Sequence, residues 1–284
     1  MPTRSPDTRT RPSLAAMDVD GRNIRYLDNG IGEPVILVHC SSATHREWLG
    51  TIQALGEGYR TLAPDLIGYG KSDLWPDGVA FNPNADVELV RALVDRAGAP
   101  VHLVGHSYGG AIALEVARVA GDAIRTVTLI EPVTFHVLRE AGRDVEWKEV
   151  RGIAESVRSR VDRGDLAGAA GIYMSYWIGR IRWWLMPRRQ KASIVRTVTK
   201  VAHEFGMIGG TTIALDAYRA IASPVRLIAG SRTRATARAA VDVLSAALPN
   251  AHVRVVEGAG HMSPFTHADA VSALVVEHVT RGER

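Results

Sequence analysis

The sequence predicts an α/β fold: a mostly parallel central sheet with helices on both faces and an inserted helical cap. Three observations predict it. Short β-branched runs such as PVILVH (34–39) alternate with segments of helical spacing, the rhythm of parallel strands joined by crossover helices. From about residue 135 to 212 that rhythm stops, and Trp147, Trp177, Trp183 and Trp184 gather among helical periods. The run HLVGHSYGGAIAL (102–114) passes from an apolar strand to an alanine-rich helix through a Gly-x-Ser-x-Gly turn.

In chain order, residues 1–13 are polar with repeated Pro and Arg, and read as a disordered tail. Asp20-Gly21 sits between two short alternating segments and predicts a β-hairpin. Buried strands follow at 34–39, 59–65, 100–105 and 124–131. Helices are expected near 46–55 and at 85–97, where Val87, Val90, Leu93, Val94 and Ala97 share one face. After the cap the β/α rhythm resumes with a strand at 224–230, a helix near 235–248, a strand at 251–258 and a last helix from about 268 to 279. The expected division is therefore a core over 14–134, a cap over 135–212 and a second core part over 213–284.

Of the 284 residues, 46% are hydrophobic and 23% charged, ordinary values for a soluble globular chain. The net charge of +4 is small and no nucleic-acid recognition motif accompanies it, so nucleic acid is not an expected partner. Cys40, the single cysteine, excludes an intramolecular disulfide and a multi-cysteine metal site. The N-terminus lacks the apolar core of a signal peptide, and no later run reaches membrane-spanning length. A cytoplasmic protein acting on a small molecule is expected, without membrane insertion, and a homodimer is allowed.

Ligands of an open parallel sheet bind outside the carboxyl ends of its strands. There the strand at 100–105 delivers Ser107. A tight strand-to-helix turn leaves room only for small residues two positions before and after the central one, here Gly105 and Gly109. The spacing matches neither a dinucleotide loop nor a P-loop. A serine hydroxyl needs a base, and His261, on the glycine-lined loop after the last strand, is placed to reach it. His252 and His278 fall within a strand and a helix, and His106 reads as a packing residue. The amides of Tyr108 and Ser41, the latter in HCSS after the first buried strand, are the expected oxyanion donors. No metal-ligand spacing appears, and neither metal nor cofactor is expected.

With VILVHCSS, APDLIGYGKSD, GHSYGG and GAGHMSPF in place, the chain resembles the α/β-hydrolase superfamily from about Met17 to its C-terminus. The resemblance implies an α/β-hydrolase fold with a Ser–acid–His triad. Two departures stand out. Cys40 occupies a position usually held by Gly. The acid that such proteins commonly carry as G-x-x-D after the later strand is missing, because the chain reads Gly230-Ser231-Arg232-Thr233. Glu131 in LIEPV is the expected substitute, an arrangement similar to that of haloalkane dehalogenases and certain lactonases; a structural glutamate paired with a cap arginine is the alternative. Serine rather than aspartate at 107 argues against dehalogenase or epoxide-hydrolase chemistry.

Cys40, His136, Trp177 and Trp184 are candidates for the substrate pocket; for the aromatic-basic segment 176–191 an amphipathic cap helix with a solvated basic face is the simplest reading, and a basic face for an anionic or carrier-linked acyl substrate and membrane docking are the others. The expected activity is hydrolysis of a small or medium hydrophobic carboxylic ester or lactone through an acyl-enzyme. The alternatives are carbon–carbon bond hydrolysis, perhydrolysis or a biosynthetic cyclisation on the same fold, or a ligand-binding module with little turnover.

Overall fold

Strand pairing is settled by runs apolar on both faces. In the computed structural model, which describes residues 13–76, 79, 81–82, 84–210 and 213–281, one eight-stranded sheet has the order β1-β2-β4-β3-β5-β6-β7-β8. The strands are β1 (Ser13–Val19), β2 (Arg22–Asn29), β3 (Gly32–Val38), β4 (Gly58–Pro64), β5 (Val101–His106), β6 (Ile124–Ile130), β7 (Val225–Gly230) and β8 (Ala251–Val256). β1 and β2 form the antiparallel hairpin, and the ladders from β3 to β8 are parallel. Asp20 and Gly21 turn the hairpin at φ 50° and 72°, the left-handed pair that such a two-residue turn requires. The predicted N-terminal tail lies outside the described residues apart from Ser13.

Helices are α1 (Leu49–Leu55), α2 (Ala85–Ala97), α3 (Tyr108–Ala120), α4 (His136–Glu140), α5 (Asp144–Asp162), α6 (Leu166–Ile178), α7 (Arg180–Leu185), α8 (Arg188–Gly210), α9 (Ala235–Ala247), α10 (Ser263–Thr266) and α11 (Ala268–Arg281). Alternate residues of β3 serve opposite faces. Ile36 and Val38 pack with α2, α3 and α9, whereas Val35 and Leu37 pack with α1 and α11. This two-sided burial is the reason the strand reads as a continuous apolar run.

Helices α4–α8 fall between β6 and β7. Of these, α5, α6 and α8 close around their own apolar cluster, with Val157, Tyr173, Met174, Val198 and Phe205 among its members. No helix among the described residues is long and apolar enough to cross a membrane.

Candidate active site

Ser107, between β5 and α3, has φ 54° and ψ −117°, a strained conformation for a residue with a side chain. The flanking glycines have a steric cause. A Cβ on Gly105 would stand 2.3 Å from the Gly109 carbonyl oxygen, and one on Gly109 would stand 2.3 Å from that of Val38. Gly109→Ala is thus expected to destabilise the protein by about 3 kcal/mol, the upper part of the overpacking range, read as a lowered denaturation midpoint.

The loop after β8 brings His261 Nε2 within 2.9 Å of Ser107 Oγ, while its Nδ1 lies 2.8 Å from Glu131 Oε2. A carboxylate opposite Nδ1 fixes the tautomer: Nδ1 carries the proton and donates to Glu131, leaving the Nε2 lone pair to accept from Ser107. Glu131, at φ 41° just beyond β6, receives two more bonds, from the Gly230 amide (2.8 Å) and the Thr233 hydroxyl (2.6 Å). Burial alone would raise the Glu131 carboxyl, but the His261, Gly230 and Thr233 hydrogen bonds outweigh it and hold the pKa below its ordinary value. Thr233, at the position where the family commonly carries aspartate, instead donates to the carboxylate that arrives from the neighbouring strand.

His261 is buried, and desolvation lowers its pKa despite the opposing pull of Glu131. Its ring stacks on Trp177 of α6, with centroids 3.7 Å apart and planes 20° from parallel. The imidazole is therefore neutral at pH 7, the form a general base needs.

The loop after β3 is held from both sides. His39 Nδ1 donates to the Cys40 carbonyl (2.7 Å), and its Nε2 accepts from the Leu66 amide (3.0 Å). The Cys40 amide donates to Glu47 Oε2 (2.9 Å), and Glu47 Oε1 lies 2.6 Å from His106 Nδ1. His106 Nε2 in turn donates to the His261 carbonyl at 2.9 Å. Both His106 nitrogens thus face acceptors. Burial opposes its charge, but Glu47 and that carbonyl prevail and raise its pKa. His106 is accordingly more than a packing residue: the Glu47–His106 pair ties the Ser41 loop to the histidine loop. Cys40, Glu47 and His106 also lie close enough to suggest a metal site, yet hydrogen bonds occupy every Glu47 and His106 ligand atom, and burial pushes the Cys40 thiol well up.

A narrow pocket beside Ser107 is lined by Ser41, Val133, Phe135, Tyr173, Trp177, Val201, Glu204 and Phe205. Its free volume of about 10 Å³ is room for one water. Of the four residues expected there, Trp177 lines it. Cys40 is buried in the Ser41 loop itself and is not among the lining residues. His136 turns away to the Tyr218 hydroxyl at 3.1 Å. Trp184 is 75% exposed on α7 and faces an open groove. These three are corrections to the sequence reading. Tyr173, Glu204 and Phe205, which no motif marks, take their places. Tyr108 is the first residue of α3, and the Ser41 amide donates to no protein acceptor among the described residues.

Ser107, His261 and Glu131, delivered from the ends of β5, β8 and β6, thus form one hydrogen-bonded chain. Residues 35–274 match the alpha/beta hydrolase family, and the chain belongs to it. It is 28% identical over 268 residues to the dihydrolipoyllysine-residue acetyltransferase component of the acetoin cleaving system from Cupriavidus necator, covering 92% of this chain and 68% of that protein. It is 30% identical over 127 residues to haloalkane dehalogenase 2 of Mycobacterium tuberculosis, 44% of each chain, so the match spans less than half of that relative. In structure it is similar to MGS-M2, an alpha/beta hydrolase from a Medee basin deep-sea metagenome library, with a TM-score of 0.80, 16% identity and coverage of 95% and 98%. Family and relatives together support a hydrolase.

Proposed function

We propose that the protein is a serine hydrolase that cleaves a small hydrophobic carboxylic ester or lactone through an acyl-enzyme. The observation that carries this reading is the unbroken chain Ser107 Oγ–His261 Nε2 and His261 Nδ1–Glu131 Oε2, at 2.9 and 2.8 Å. His261 takes the Ser107 proton as Oγ attacks the carbonyl carbon, and the Ser41 and Tyr108 amides receive the oxyanion. The same imidazole then protonates the leaving alkoxide and, with the leaving group gone, deprotonates the water that frees the acid. Glu131 stays ionised and stabilises the imidazolium of both half-reactions.

The apolar walls Val133, Phe135, Trp177, Val201 and Phe205 support a hydrophobic acyl group, and the confined volume supports a short one. Helices α4–α8 serve as the cap that excludes water. The test is a fluorophosphonate probe with peptide mapping, alongside p-nitrophenyl esters of increasing chain length. Ser107 is expected to carry the label, and turnover is expected to fall with chain length; a label elsewhere, or none, would sink the assignment.

The acid limb of the pH profile follows from the lowered His261 pKa. Protonation on acidification removes the base. Because the folded-state pKa lies below the ordinary 6.5, log kcat/KM is expected to stay level through neutrality and to fall only below pH 6.5. A midpoint above that value would contradict a desolvated base.

A further inference from the structure

The apolar pocket has one polar corner that the proposed chemistry leaves unused. Glu204 of α8 is buried there, with its Oε2 2.5 Å from Ser41 Oγ. Its Oε1 accepts from the Tyr69 hydroxyl at 2.6 Å and from Lys200 Nζ at 3.1 Å. Lys200 is shared, since Nζ also donates to Asp86 Oδ2 at 2.6 Å. Asp86 receives the Tyr108 hydroxyl on the same oxygen and the Ile67 amide on the other. Tyr173 stands beside Ser41 and lines the pocket with it.

One ammonium thus serves two buried carboxylates, and a second anion in such a place is costly unless it takes up a proton. Asp86 has the closer ammonium, at 2.6 Å against 3.1 Å, so the neutral member is Glu204. Burial raises the Glu204 pKa, and Asp86 adds to the rise against the opposing Lys200, Ser41 and Tyr69 contacts. With Oε1 occupied by two donors, the carboxyl proton belongs on Oε2, directed at Ser41 Oγ. Ser41 then accepts from Glu204, and with Ser41 and Tyr173 hydrogen-bonded to each other, one hydroxyl proton of that pair is left for the pocket.

The geometry points to Glu204, Ser41 and Tyr173 as a proton-donating corner that selects acyl groups bearing a second, neutral oxygen, an oxo group near the scissile carbonyl. This rests on the serine-hydrolase reading and narrows its substrate class. A plain hydrocarbon chain placed there would leave a buried donor unpaired, the situation in which polar sites discriminate most strongly.

The test compares phenyl 3-oxobutanoate with phenyl butanoate, which differ by one oxo group, in wild type, Glu204→Met, Glu204→Gln and Tyr173→Phe. Reading the ratio of the two kcat/KM values cancels intrinsic ester reactivity between variants. Glu204→Met and Tyr173→Phe are expected to lower the ratio by about tenfold or more, and Glu204→Gln by less, since an amide still donates to Ser41. Tyr173→Phe leaves the Lys200–Asp86–Glu204 bonds intact and carries the test if Glu204→Met does not fold. Infrared difference spectra should show a protonated carboxyl band that Glu204→Gln removes.

A ratio within about twofold of wild type in both Glu204→Met and Tyr173→Phe, with Ser107 still labelled by the fluorophosphonate, overturns the corner alone. No such band in the wild type also overturns it. Wild-type protein that neither labels nor turns over either ester overturns the hydrolase reading and the corner together.

Discussion

Ser107→Ala is expected to lower kcat for a p-nitrophenyl ester by about a millionfold, to the level that binding and oxyanion contacts alone sustain. The reason is covalent: without Oγ there is no acyl-enzyme, and water would have to attack the ester carbonyl directly. The fold should tolerate the change, because Ser107 is held by its backbone, its amide donating to Ile130 and its carbonyl accepting from Ala111 and Val133. A variant with unchanged unfolding and wild-type turnover would remove Ser107 from the mechanism.

Glu131→Gln should cost about 10⁴-fold in kcat with little structural change. The Gly230 amide donates to one side-chain oxygen of residue 131, so a glutamine would keep its carbonyl there. Its NH₂ would then face His261 Nδ1 and force that nitrogen to accept. The ring proton moves to Nε2, which can no longer take a proton from Ser107. Adding Thr233→Asp should restore part of the rate, because the Thr233 hydroxyl already sits 2.6 Å from the carboxylate oxygen that meets Nδ1. Measured kcat for wild type, single and double variants decides it; an unaffected Glu131→Gln enzyme would exclude Glu131 as the acid.

The two variants probe the part of the site most legible in the sequence. Gly105 and Gly109 mark the turn because close backbone packing forbids any Cβ, a constraint that leaves a trace in residue type. His261 and Glu131 are legible because strand ends deliver them, and strands announce themselves by apolar runs. Helices α2, α9 and α11 were readable for a similar reason, each burying one regular face. The pocket was not. Glu204 and Ser41 are 163 positions apart, and an inward glutamate on α8 has the same spacing as a solvated one. Trp184 shows the converse: its bulk suggested a pocket wall, yet α7 is too short to bury it and the ring is 75% exposed. The role of His106 is not legible in the sequence because its partners, Glu47 and the His261 carbonyl, come from two other segments of the chain.

The ties of α8 have a mechanical consequence. Lys200 binds it to α2 through Asp86, Glu204 to the β3 loop through Ser41, and Thr197 to Ser42 at 2.8 Å. Separating a buried ion pair of this kind costs about 3–5 kcal/mol, so this edge stays fastened whenever the site admits a molecule. The α6 side is fastened too: Tyr176 Oη meets Thr236 Oγ1 of α9 at 2.7 Å, and Arg234 reaches the Tyr176 carbonyl and Glu149 of α5, while Ile181, Trp184 and Leu185 of α7 are exposed. Riveted through both α6 and α8, the helical segment keeps the Trp177 indole over the His261 ring as a fixed plate, 3.7 Å from centroid to centroid.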